Sequence, residues 1–66
     1  MIRQPVSSSR IRSVGWEHNV MEVEFHNGTV YQYHDVSHAE YQNFLNSSSL
    51  GSALSRLDKL HRYNRV

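Results

Sequence analysis

Five histidines, six carboxylates and seven lysines or arginines carry whatever chemistry this 66-residue chain can perform, because it contains no cysteine. Without a thiolate there is no sulfur nucleophile and no soft metal ligand. The histidines do not gather. His34 and His38 are four apart, a spacing that aligns two ligands only when both lie on one helix face, and the helix start at Ser37 falls between them. His18 and His26 belong to separate turns, and His61 lies on the apolar side of the last helix. Asp35, Ser37 and either His34 or His38 have the residue types of a catalytic trio. Neighbours in sequence rarely meet the geometry of nucleophile, base and orienter, and no nucleophile elbow surrounds Ser37. Phosphate loops and dinucleotide fingerprints are absent as well. The expectation is a non-catalytic protein that uses neither metal nor cofactor.

Electrostatics and stacking remain. The formal net charge of +1 conceals a basic start (Arg3, Arg10, Arg12), an acidic middle (Glu17, Glu22, Glu24, Asp35, Glu40) and a basic tail. On a helix, Arg56, Lys59 and Arg62 fall within an arc of about 120° opposite the apolar stripe. Such a stripe is the footprint of an anionic partner. The candidate site is therefore Arg10, Arg12, Arg56, Lys59 and Arg62 on phosphates, with any exposed ring among Trp16, Tyr31 and Tyr33 stacking on bases. The partner would be RNA, either tRNA or a single strand. The alternative is a protein-interaction or accessory module that docks through an edge strand or a helix.

These side chains are positioned by a central hairpin. Met21, Val23 and Phe25 alternate with Glu22, Glu24 and His26, and Tyr31 and Tyr33 alternate on the return limb. A two-residue Asn27-Gly28 loop would put both tyrosines on the side of Glu22 and Glu24. A three-residue loop, His26-Asn27-Gly28 with Gly28 left-handed, shifts the pairing by one. Phe25 then faces Thr29, Val23 faces Tyr31 and Met21 faces Tyr33. Two tyrosines hold far more apolar surface than Val30, so the three-residue loop is expected, with both rings in the core and their hydroxyls at its edge.

The first strand runs from about Arg10 to Trp16. Ile11 and Val14 cannot share a face of a regular strand, and Gly15 beside them signals a bulge or a close backbone contact. Residues 1–8, with Pro5, form an extended lead-in to a single domain spanning 9–66. Ser37-His38-Ala39-Glu40 is a capping box, with Val36 and Tyr41 placed as its hydrophobic staple. A second helix spans about Leu50 to Arg62, its apolar stripe made by Leu50, Ala53, Leu54, Leu57, Leu60 and His61. The fold class is α+β: a three-stranded antiparallel β-meander packed against two short C-terminal α-helices. A chain this short has a thin core, worth about 3–5 kcal/mol net. The N-terminal residues lack the apolar run of a secretion signal, and no stretch approaches membrane-spanning length, so a cytoplasmic protein is expected.

In order, Ser9-x-Ile11-x-x-Val14-Gly15-Trp16, Val23-x-Phe25-x-x-Gly28, Tyr31-x-Tyr33 and Val36-x-x-x-x-Tyr41 resemble the KTSC domain, over roughly residues 7–63. That family is named for the C-terminal segment of some lysyl-tRNA synthetases and also occurs as stand-alone bacterial proteins of this length. The resemblance implies an association with RNA. Two departures stand out. Where relatives tend to carry an aromatic pair and Asn after the glycine matching Gly51, this chain has Ala53, Leu54 and Ser55, and the spacing to Tyr63 is one residue longer. Trp16 stands where Tyr is usual.

Overall fold

The central hairpin adopts the three-residue loop. In the computed structural model, which describes all residues from Met1 to Val66, strands β3 (Val20–Phe25) and β4 (Val30–Tyr33) pair Met21 with Tyr33 and Val23 with Tyr31. Phe25 N donates to Thr29 O at 2.8 Å, Gly28 N donates to Phe25 O at 2.9 Å, and Gly28 has φ +90°. The left-handed residue is the one without a Cβ, as a bulged loop requires. Met21, Val23 and Tyr33 are buried, and Glu22 and Glu24 point to the other face.

Strand β2 (Ile11–Glu17) joins β3 through His18-Asn19, both with positive φ (52° and 63°), which is the conformation of a two-residue I′ turn. Its register shifts between Ile11 and Ser13. The extra residue there lets Ile11 and Val14 both be fully buried despite their odd spacing. Gly15 has a different reason to be glycine: a Cβ there would stand 2.6 Å from the Ile2 carbonyl oxygen. The irregularity expected around Gly15 is thus two features, a bulge upstream at Arg12 and a close crossing at Gly15 itself.

The sheet has five strands rather than the three read from the sequence. β1 (Gln4–Pro5) pairs antiparallel with β2, and β5 (Tyr63–Arg65) pairs antiparallel with β4, giving the order β1-β2-β3-β4-β5. Strands of two and three residues carry no measurable alternation, which is why the ends of the chain look irregular in sequence. Pro5 is tolerated because β1 is an edge, where no ladder donor is needed on the open side.

Between β4 and β5 the chain forms helices α1 (His38–Leu45) and α2 (Leu50–Leu60). The capping box is complete: Ser37 Oγ accepts from Glu40 N and Glu40 Oε1 accepts from Ser37 N, each at 3.1 Å. The staple residues Val36 and Tyr41 are both buried. Ser49 caps α2. That helix ends at Leu60 rather than Arg62, because its C-cap His61 turns extended (φ −127°, ψ 146°) and leads the chain towards β5. One core joins sheet and helices: Ile11, Val14, Met21, Val23, Tyr33 and Val36 meet Tyr41, Phe44, Ala53, Leu54 and Leu57. No helix is long and apolar enough to cross a membrane.

Candidate nucleic-acid interface

The polar groups of this fold divide sharply by sign. Glu22 accepts from Arg3 and, at 2.9 Å, from Gln32; Glu24 accepts from Ser13 Oγ at 2.9 Å. Asp58 accepts from the Tyr33 hydroxyl at 2.6 Å. Glu40 completes the capping box and also meets His61 Nε2 at 2.7 Å. The Ser37 backbone N–H, followed by His61, holds the Glu40 carboxyl below its usual range. Of the seven arginines and lysines only Arg3 forms an ion pair. Four of the six carboxylates, Glu22, Glu24, Glu40 and Asp58, are engaged within the fold, whereas six of the seven arginines and lysines pair with no carboxylate.

Those cations are not one stripe. Arg10 and Arg12 sit at the hairpin end, where Arg10 Nη1 makes a long 3.5 Å contact to Gly51 O and Arg12 Nη2 donates to His26 O at 3.3 Å. Arg56 and Lys59 are exposed along α2. Arg62 leaves the helical arc; its carbonyl accepts from His34 N at 2.8 Å as the chain enters β5. The expected helical triad is therefore a pair, with the third cation displaced onto the neighbouring strand approach.

The aromatic candidates separate in the same way. Tyr33 is 1% exposed and cannot stack on a base. Burial, then the Asp58 carboxylate, pushes its phenol far above the ordinary range. Trp16 is half-buried, donates Nε1–H to Val36 O at 2.8 Å, and is enclosed by the His38 ring at 4.9 Å and Tyr41 at 6.4 Å. Burial raises the Tyr41 hydroxyl too. Tyr31 differs. It is half-buried, with Phe25 edge-on at 5.4 Å on one side and Tyr63 stacked at 5.4 Å on the other. A shallow recess of about 240 Å³ opens beside it, lined by Arg10, Phe25, Asn27, Thr29 and Tyr31. Of the three rings proposed to stack, only Tyr31 borders open space next to a cation.

Tyr63 and Arg65 are missing from the sequence-derived set. Arg65 pairs directly with Tyr31 across the β4–β5 ladder, so both side chains leave the sheet on the same face. Tyr63, 44% exposed, also lies 5.1 Å from Tyr33. Their alternation about Asn64 is a strand signal, but three residues are too few to separate it from a basic tail. The histidines serve the fold: His61 Nδ1 meets His34 O at 3.1 Å, His26 Nε2 meets Ser8 O at 2.8 Å, and His34 bonds Asn64. No three His, Asp or Glu side chains converge as a metal site would require.

An antiparallel meander closed by its own termini, with a capped helical pair on one face and a Tyr-x-Tyr doublet at its centre, defines a small α+β domain. The chain belongs to the KTSC domain family, which matches residues 7–63. A KTSC domain protein from Yersinia pestis, known from its crystal structure, has the same fold, with a TM-score of 0.87 and 36% identity, covering 98% of this chain and 96% of that one. An uncharacterised protein from Stutzerimonas stutzeri (strain A1501) is 35% identical over 65 residues, 96% of this chain and 92% of its own.

Proposed function

We propose that this KTSC domain is a non-catalytic RNA-binding module that favours single strands. The observation that carries the reading is the asymmetry of pairing: Arg10, Arg12, Arg56, Lys59 and Arg62 are exposed without carboxylate partners, whereas Glu22, Glu24, Glu40 and Asp58 are occupied within the fold. Unpaired cations gain by displacing counterions from phosphates. The recess beside Tyr31 supports a single strand over a duplex, since a base must be unstacked to reach a ring.

Fluorescence anisotropy of a labelled single-stranded oligoribonucleotide tests this. Five phosphate contacts on a single strand give a slope of log K against log salt of about −3.5, so affinity falls about a hundredfold between about 50 and 200 mM salt. No binding at low salt ends the proposal. A second reading, a protein-interaction module, draws on Leu60 (73% exposed) and Tyr63 (44% exposed). The edge strands offer it little, being two and three residues long. A protein partner whose capture survives nuclease treatment would favour that reading.

A further inference from the structure

The larger concavity lies between the helices, away from the Tyr31 recess. Its volume is about 320 Å³, and its apolar lining is Leu60 with the outer edges of the core residues Phe44, Ala53 and Leu57. Ligand sites of this kind begin at about 300 Å³ and combine an apolar lining with a few polar groups that fix orientation. Here the rim supplies Glu40, Asn43 and Arg56. Glu40 is already engaged, one oxygen by Ser37 N–H at 3.1 Å and the other by His61 at 2.7 Å. Arg56 has no ion-pair partner, and its guanidinium is the one cation on the rim. Leu60, 73% exposed at the border, is the apolar side chain of the groove most open to a ligand.

From this complementarity we infer that the α1–α2 groove binds a small organic monocarboxylate, with its apolar body against Phe44, Ala53, Leu57 and Leu60 and its carboxylate on Arg56. A neutral hydrocarbon would gain nothing from the guanidinium, which is exposed and keeps its water. A dianion would bring its second charge toward Glu40. The groove, about 320 Å³ and open to solvent, suits a short acid such as octanoate rather than a long acyl chain. The inference is independent of RNA binding, although Arg56 belongs to both surfaces.

The test is a ¹H–¹⁵N titration of the whole chain, without RNA, using sodium octanoate below its micellar range and octanamide as the neutral match. Saturable shifts at Phe44, Ala53 and Leu57 are expected with octanoate. Octanamide should bind at least about tenfold more weakly, as should octanoate to Arg56→Gln, because each loses the charge-assisted pair. Leu60→Ala, a change at an exposed position, should weaken octanoate while leaving the spectrum folded. Absence of saturable shifts overturns the inference, and so does an amide within about threefold of the acid. Binding of an acetylated peptide ending in leucine, with octanoate inert, overturns it in favour of a chain terminus.

Discussion

Tyr33→Phe isolates the part-buried side-chain hydrogen bond that ties the sheet to α2. The phenol is 1% exposed and donates to Asp58 at 2.6 Å. A bond to a charged acceptor contributes about 1.5–3 kcal/mol. Asp58 is half-buried, so water replaces the lost phenol and the cost falls near the lower end. A loss of about 1.5 kcal/mol lowers the melting temperature of a domain this size by about 6–12 °C. Asp58→Ala should cost more than Tyr33→Phe, because it takes away the only partner that the hydroxyl has within the fold and leaves a polar group on a ring 1% exposed. The bond also has a pH signature. Burial and Asp58 raise the folded phenol above its unfolded value, so the linked stability is fully present below about pH 10 and drains as pH rises beyond it. The slope is about 1.4 kcal/mol per pH unit, and Phe lacks it. Urea unfolding of both proteins, followed by far-UV circular dichroism, should therefore show the gap of about 1.5 kcal/mol at pH 8 closing near pH 11. A gap that stays constant across that range, or an Asp58→Ala cheaper than Tyr33→Phe, would refute the reasoning.

Gly15→Ala places a methyl 2.6 Å from the Ile2 carbonyl, so β1 must shift; a cost of about 1–3 kcal/mol and faster hydrogen exchange at Val6 N–H, which bonds Arg12 O, are expected. Replacing Arg56, Lys59 and Arg62 together by Gln should reduce the salt slope of RNA binding from about −3.5 to about −1.4 without changing the circular dichroism spectrum; an unchanged slope would remove α2 from the interface. Glu40 contributes stability that is complete above its unfolded value of about 4.3 and is lost as pH falls through the lower folded value, so Glu40→Gln should flatten the acid limb of the stability profile. Thermal melts between about pH 2 and 6 read that difference directly.

What the sequence reveals of this fold follows from how local each signal is. Two tyrosines against one valine decide the hairpin register without knowledge of any other element, and the structure pairs Val23 with Tyr31 accordingly. The capping box is equally local, since donors and acceptors lie three residues apart. The end of α2 is not. His61 continues the apolar stripe four residues after Leu57, and nothing nearby contradicts a helix there. It is pulled out by partners 21 and 27 residues away, Glu40 and His34 O. Arg62 follows it off the helical arc. The same distance hides the stacking of Tyr63 on Tyr31, which requires β5 to return across the helices.

The two short edge strands explain how a thin fold keeps its cations free. β1 carries the chain across Gly15 and places Arg3 on Glu22, so one carboxylate of the far face is neutralised by the chain's own start. β5 covers the other edge and sets Tyr63 and Arg65 around Tyr31. Each edge is too short to template another strand. Glu22, Glu24 and Glu40 of the acidic middle are thereby engaged in holding the fold closed, while Glu17 and Asp35 stay exposed. Arg10, beside the Tyr31 recess, and Arg56, on the rim of the helical groove, pair with no carboxylate of the molecule, and both remain available for an anion brought from outside.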